Sequence, residues 1–87
     1  MIKYRPHRGS LENAMREMKT FNSKEEMFDY IVKDWGGFIS YADLSITENI
    51  GRDKRIDWKE CRHVCAKRIN SETFKVPQCI GMCSIED

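Results

Sequence analysis

Four cysteines occur as two equally spaced pairs, Cys61–Cys65 and Cys79–Cys83, with three residues inside each pair. Side chains alternate between the two faces of a β-strand, so residues four positions apart lie on the same face. If the two segments pair as an antiparallel hairpin, one register places Cys61 opposite Cys83 and Cys65 opposite Cys79. The spacing therefore predicts a hairpin that carries all four sulfur atoms on one sheet face, together with His63.

The same spacing bears on three kinds of cysteine chemistry. Residues four apart on a strand are separated by roughly 13 Å, whereas zinc ligands lie about 2.3 Å from the metal, so a regular hairpin cannot gather four sulfurs around one ion. Cross-strand partners lie within disulfide range, but a reducing compartment disfavours disulfides. Free thiols that pack as small apolar side chains are the favoured interpretation. The alternatives are a zinc module, two disulfides, or a nucleophilic dyad with His63; the zinc ligands would be Cys61, Cys65, Cys79 and Cys83.

Length and charge limit the class of protein. Eighty-seven residues with 40% apolar composition predict one domain over residues 1–87, with a small core. A net charge of +1 gives no bulk attraction to nucleic acid or to a membrane. The first residues lack the apolar segment of a signal peptide, and no apolar stretch approaches the roughly 20 residues of a membrane span. We expect a cytoplasmic protein with no membrane partner.

The amino-terminal half predicts an arm followed by two helices. Residues 1–9 are expected to form an extended arm, because Pro6 removes a backbone donor, and residues 10–37 are expected to be helical. Apolar residues at helical spacing predict a helix over 11–20. A competing interpretation makes Arg16–Phe21 a short strand, but that segment does not alternate between polar and apolar residues. A second helix over 24–35 begins at a capping box and ends at two glycines; the residues are Ser23, Glu26, Gly36 and Gly37.

The carboxy-terminal half predicts an antiparallel sheet over residues 44–85. Strands are expected near residues 44–49, within 56–69 and over 78–85, with a short helical turn at 40–43 and a polar loop at 70–75. Helices that precede strands are typical of an α+β fold. The expected architecture is two N-terminal helices packed on a three-stranded antiparallel β-meander.

Basic residues cluster in two segments and form the candidate binding site. Residues 1–20 contain five basic and two acidic residues, and residues 51–70 contain seven basic and three acidic residues. Such clusters are usually solvated faces, but an arm with interleaved aromatic and basic residues is also suited to an acidic protein surface or a phosphate backbone. The candidate binding residues are Tyr4, Arg5, His7, Arg8, Arg52, Lys54 and Arg55.

Catalytic signatures are absent from the sequence. It contains no glycine-rich phosphate loop, no H-E-x-x-H and no G-x-S-x-G. We therefore expect a protein that is not an enzyme and that has no cofactor.

Several short segments resemble one family. They are the residues at 4–11 (YRPHRGSL), 21–23 (FNS), 43–46 (DLSI) and 77–81 (PQCIG). Together they are similar to small uncharacterised proteins of Gram-positive, often clostridial, bacteria and their phages or mobile elements. The resemblance implies no fold, cofactor or catalytic residue. It implies a mobile-element accessory protein that binds a host protein, for example to inhibit a defence system.

The leading hypothesis from the sequence is a non-enzymatic module that binds another protein. The alternatives are a nucleic-acid-binding module that uses the basic arm and the Arg52–Arg55 turn, and the zinc-stabilised four-cysteine module. The sequence gives no indication of the oligomeric state.

Overall fold

The amino-terminal segment forms an interior strand of a five-stranded antiparallel sheet. The computed structural model describes residues 1–51, 61–69 and 72–85. In chain order, the described elements are β1 (Ile2–Pro6), α1 (Leu11–Arg16), β2 (Lys19–Phe21), α2 (Lys24–Asp34), a 3₁₀ turn (Tyr41–Asp43), β3 (Leu44–Gly51), β4 (Cys61–Ile69) and β5 (Glu72–Ile85). The strand order across the sheet is β2-β1-β5-β4-β3, and every neighbouring pair is antiparallel.

The expected architecture, two helices on a three-stranded meander, was wrong because the first 21 residues supply two further strands. The segment expected to be an arm contains β1, which pairs with β2 on one side and β5 on the other. Ile2 and Tyr4 are 5% and 1% exposed. A strand of five residues is too short for alternation of polar and apolar residues to be recognised in the sequence. Its burial depends on strand partners that are distant in the sequence.

The expected helix over 11–20 is also shorter than predicted. α1 ends at Arg16, and Lys19–Phe21 forms β2, so the competing strand interpretation of Arg16–Phe21 is confirmed for residues 19–21. β2 pairs with β1 in a register that places Phe21 opposite Ile2. The edge of β1 supplies backbone partners that local periodicity cannot indicate.

The carboxy-terminal strands are longer than expected at one end. The predicted polar loop over residues 70–75 was wrong for residues 72–75, which belong to β5. Thr73 pairs with Arg68, and Glu72 pairs with Ile69. Polar residues are compatible with a strand here because the antiparallel ladder satisfies their backbone groups. Of the strand expected within 56–69, residues 61–69 form β4, and residues 56–60 lie outside the described part.

The structure confirms the start and stop signals that the sequence gives for the second helix, α2. The Ser23 hydroxyl accepts a hydrogen bond from the backbone N–H of Glu26 at 3.2 Å. The Glu26 carboxylate accepts from the backbone N–H of Asn22 at 3.0 Å, one residue before the cap. Gly36 and Gly37 have φ of 58° and 90°, which lie in the left-handed region that glycine adopts readily. Local chemistry therefore sets both ends of α2.

One face of the sheet packs against α2 and forms the main core. The helix buries Met27, Phe28 and Ile31. The buried residues that they join are Ile2, Tyr4, Ile39, Leu44, Val64, Ala66, Ile80 and Cys83. A smaller buried cluster contains Cys61 and Met82, with Met18 packed against it. Among the described residues, no helix is long and apolar enough to cross a membrane.

A β-bulge in β5 determines which way the cysteines face. Val64 pairs with Gly81 and Cys65 pairs with Cys79, so β5 contains one extra residue, Ile80, between the two pairs. Cys65 therefore lies opposite Cys79, as expected from the sequence. Beyond the bulge the register differs, and Cys83 lies opposite Arg62 rather than opposite Cys61.

Candidate functional site

Two of the candidate binding residues in the amino-terminal segment are buried. Tyr4 is 1% exposed, and its hydroxyl donates to the Ile80 carbonyl at 3.4 Å. Burial raises the pKa of Tyr4 well above its ordinary value. Arg5 is 3% exposed, and its Nη2 lies 2.9 Å from Met82 Sδ. Neither side chain is available to an external phosphate or protein surface.

The other two residues of that segment, His7 and Arg8, are exposed. The Arg8 guanidinium forms a hydrogen-bonded ion pair with Asp34 and lies 4.0 Å from a Glu17 oxygen. The hydrogen bond to Asp34 raises the pKa of Arg8. An open cleft of about 380 Å³ lies beside these residues and is lined by residues 5–10 and Ala14. The positive charge of Arg8 is thus compensated within the domain.

The predicted basic turn is the other part of the candidate binding site. Arg52, Lys54 and Arg55 lie outside the described residues. The structure therefore brings together only the amino-terminal members of the predicted binding site, and it buries half of them.

A thiol site, defined here as Cys79, Cys65 and His7, forms where β1, β5 and β4 lie side by side. The Cys79 thiol donates a hydrogen bond to the Gly81 carbonyl oxygen at 3.2 Å, and its Sγ also lies 3.4 Å from His7 Nδ1. Cys65 is the cross-strand partner of Cys79. Cys79 is partly exposed, whereas Cys65 is 4% exposed. The site therefore combines an accessible thiol, a buried thiol and an imidazole.

The electrostatics of the thiol site favour neutral groups. Burial raises the pKa of both thiols above the ordinary value of 9.0. Partial burial, followed by the positive charges of Arg5 and His63, lowers the pKa of His7 below 6.5. A neutral imidazole with an unprotonated nitrogen can accept a proton from the adjacent thiol.

The four cysteines do not share one sheet face, contrary to the expectation from spacing. Cys83 packs in the main core with Tyr4 and α2, whereas Cys61 packs with Met82 in the smaller cluster. None of the four forms a disulfide within the described part of the chain. Within residues 1–51, 61–69 and 72–85, no three histidine, cysteine or acidic side chains are arranged to hold a metal ion.

An aromatic patch lies on the connection between α2 and β3. It is defined here as Phe38 and Tyr41 together with the carboxylates of Glu25 and Asp29. Phe38 is 52% exposed and Tyr41 is 43% exposed. Desolvation and then the charges of Glu25 and Asp29 raise the pKa of Tyr41, whose ring packs against Phe28 of the helix that carries both carboxylates. The patch combines apolar area with negative charge.

The backbone of the 3₁₀ turn fixes the position of Tyr41. The Asp43 carboxylate accepts from the Ser40 backbone N–H at 3.1 Å and from the Ser40 hydroxyl at 2.8 Å. The Tyr41 ring contacts the Phe28 ring edge-to-face, with centroids 5.3 Å apart. An anchored aromatic side chain loses less conformational entropy when a partner binds it.

Sequence reasoning had not identified the aromatic patch or the contact between His7 and Cys79. Phe38 and Ile39 are consecutive apolar residues after a glycine stop, and only Ile39, at 3% exposed, enters the core. That pattern was a usable signal for an exposed aromatic residue. For the thiol site, the signal was Gly81, because a glycine inside a strand often marks a bulge or a close backbone approach.

Comparison with known proteins gives no relative from which a function can be transferred. No protein-family model, curated protein or solved structure matches this chain.

Proposed function

We propose that this chain is a small, non-enzymatic domain that binds another protein through the aromatic patch. The observation that carries the proposal is the exposure of Phe38 and Tyr41, at 52% and 43%, beside two carboxylates. Of the four large apolar side chains exposed in the described residues, these two lie three positions apart on one connection. Aromatic side chains that are exposed together are typical anchors of protein interfaces.

The charge of the patch defines the kind of partner surface. Glu25 and Asp29 are exposed on α2, the helix whose Phe28 contacts Tyr41, and their charges act on Tyr41. A partner that presents arginine or lysine beside an apolar pocket would complement both the rings and the carboxylates. Burying the rings would supply most of the affinity, and the charges would mainly fix orientation and association rate.

The same charges disfavour nucleic acid as the ligand of this patch, because phosphates and carboxylates repel each other. In the amino-terminal segment, Arg5 is buried and Arg8 is paired with Asp34. Nucleic-acid binding therefore has less support among the described residues than protein binding has.

The biological setting of the proposal rests on the sequence alone. The resemblance implies a partner among the proteins of a bacterial host, such as a component of a defence system, and we propose a cytoplasmic location as expected from the sequence.

The proposal is tested by quantitative affinity capture from a bacterial lysate with three immobilised baits. These are the wild-type chain, the double variant Phe38→Ala/Tyr41→Ala, and Met15→Ala as a control for loss of another exposed apolar side chain, 36% exposed on α1. We expect a stoichiometric partner that the wild type and the control retain and the double variant loses. Loss of two aromatic anchors should weaken the purified complex by at least about tenfold.

Two results would contradict the proposal. One is the lack of any stoichiometric partner, and the other is equal loss of the partner from the double variant and from Met15→Ala. Thermal melts of all three baits establish that each is folded. A salt series with a mixed-sequence oligonucleotide tests the alternative, since nucleic-acid affinity would fall linearly on a log–log plot against salt concentration.

A further inference from the structure

Cys65 and Cys79 are direct cross-strand neighbours on β4 and β5. Directly opposite residues of an antiparallel pair have Cα atoms about 4.5 to 5.5 Å apart, and disulfides span Cα separations of about 4.4 to 6.8 Å. Because the two side chains extend from the same face of the sheet, a disulfide between them requires no change in strand pairing.

The other two cysteines lack this arrangement. Cys83 lies opposite Arg62 and packs in the main core with Tyr4. Cys61 packs with Met82 in the separate cluster. Both are fully buried at 0% exposed. The bulge at Ile80 thus leaves one opposed pair where the equal spacing in the sequence suggested two.

The two thiols of the opposed pair differ in their surroundings. Cys79 is partly exposed and lies 3.4 Å from His7 Nδ1, whereas Cys65 is 4% exposed. A reagent in solution reaches Cys79 first. Cys65 is then placed to attack a modified Cys79 from inside the protein, which is the arrangement of an attacking and a resolving thiol.

We propose that Cys65 and Cys79 form a redox-active dithiol, which low-molecular-weight disulfides such as glutathione disulfide convert to a cross-strand disulfide, with His7 accepting the proton from Cys79.

The reaction proceeds in two exchanges. The Cys79 S–H turns from the Gly81 carbonyl oxygen to His7 Nδ1 and transfers its proton there, and the thiolate attacks one sulfur of glutathione disulfide. The glutathione S–S bond breaks, a mixed disulfide forms, and the released glutathione thiolate takes the proton from His7. Cys65 then attacks the Cys79 sulfur, the mixed disulfide breaks, and the second glutathione leaves with the proton lost by Cys65. The two protein thiols are oxidised by two electrons, and glutathione disulfide is reduced to two glutathione molecules.

The shifted pKa values keep both groups neutral at rest and make proton transfer from Cys79 to His7 uphill, so we expect the first exchange to be slow. Burial raises the pKa of Cys79, so the thiol requires a proton acceptor at neutral pH. The lowered pKa of His7 keeps its imidazole neutral and able to act as that acceptor. Cys65 is shielded from the reagent until the mixed disulfide has formed beside it.

The test begins with the folded wild-type chain and glutathione disulfide, followed by mass spectrometry. We expect the intact mass to fall by two hydrogen atoms. Trypsin separates Cys65, in residues 63–67, from Cys79 and Cys83, in residues 76–87. Fragmentation between Cys79 and Cys83 in the cross-linked peptide then identifies the partner of Cys65 without any substitution. The chain oxidised in urea, where all four cysteines are accessible, is the control and should give a mixture of pairings.

Variants test the order of events. Cys65→Ala should stop at a mixed disulfide on Cys79, and Cys79→Ala should form neither that adduct nor the cross-link. His7→Ala should slow the first exchange by about tenfold to a hundredfold, and added imidazole should restore part of the rate. Because His7 is exposed, this variant is expected to fold.

Three outcomes would overturn the proposal. The first is that glutathione disulfide leaves the folded wild type unoxidised. The second is that the cross-link contains Cys61 or Cys83. The third is that the untreated protein carries a metal ion and that its thiols react only after a chelator has removed that ion. An unchanged rate in His7→Ala would overturn the role of His7.

Discussion

At the scale of single residues, burial shifts the pKa values of side chains away from their ordinary values, and the sequence does not show which side chains are buried. Tyr4 and Cys83 are 1% and 0% exposed on the face that packs against α2. Burial raises the pKa of Cys83 from 9.0 to about 11. A buried thiol resists ionisation because the thiolate loses its hydration, so ionisation of Cys83 would destabilise the core.

The raised pKa of Cys83 predicts a loss of stability in alkaline solution. Between about pH 9 and pH 11 the unfolded chain releases the Cys83 proton while the folded chain retains it, so the free energy of unfolding falls as pH rises. Two pKa units correspond to at most about 2–3 kcal/mol. Urea titrations across this range should show a shallower pH dependence for Cys83→Ala than for the wild type. Equal pH dependence of the two proteins would contradict the assignment to Cys83.

At the scale of elements, the close approach of β1 to β5 depends on one glycine. Gly81 pairs with Pro6, and a Cβ atom placed on Gly81 would lie 2.5 Å from Tyr4 Cε1 and 2.8 Å from the Arg5 carbonyl oxygen. The backbone oxygen cannot move without disturbing the sheet. Gly81 therefore permits the packing of Tyr4 next to the bulge at Ile80.

We expect Gly81→Ala to destabilise the fold by about 2–3 kcal/mol because the added methyl group overpacks this contact. Gly36→Ala is the matched control, since a Cβ at Gly36 meets nothing within 4 Å and only its φ of 58° is unfavourable. That backbone strain should cost about 1 kcal/mol. Denaturant midpoints of the wild type and the two variants give their order of stability. If Gly81→Ala were no less stable than Gly36→Ala, the close approach of β1 to β5 would be contradicted.

At the scale of the whole molecule, β1 joins parts of the chain that are far apart in sequence. Ile2 pairs with Phe21 on one side and with Ile85 on the other. The Arg8–Asp34 ion pair links the segment after β1 to α2. Without β1, β2 would have no described sheet partner and β5 would expose an edge to solvent.

Deletion of residues 1–6 should therefore abolish cooperative folding. A domain of this size is stable by roughly 4–13 kcal/mol, and burial of Ile2 and Tyr4 alone contributes about 1.5–3 kcal/mol each in addition to the two ladders of backbone hydrogen bonds. Circular dichroism during thermal unfolding measures the effect. Removal of Met1, which is 62% exposed, is the control and should change the stability by about 0.5 kcal/mol or less. A cooperative transition in the longer deletion would show that β1 is a dispensable arm.

Local chemistry explains which parts of the fold and site could be predicted. α2 has its cap, apolar face and glycine stop within 15 consecutive residues, 23–37, and the prediction of this helix was confirmed. His7 and the cysteines were recognised as chemically informative residues, but they were assigned to separate features. Their juxtaposition required β1 to lie beside β5, and no pattern of nearby residues contains that information.

The sequence by itself determined α2 and its stop at Gly36 and Gly37, because capping and backbone conformation are properties of neighbouring residues. Tertiary structure alone decided that residues 2–6 are an interior strand and that residues 19–21 pair with it. It also decided that Cys83 faces α2 and does not lie opposite Cys61. The physical reason is that strands satisfy their backbone hydrogen bonds with distant partners. A short strand and a one-residue bulge can therefore be recognised only when their strand partners are known.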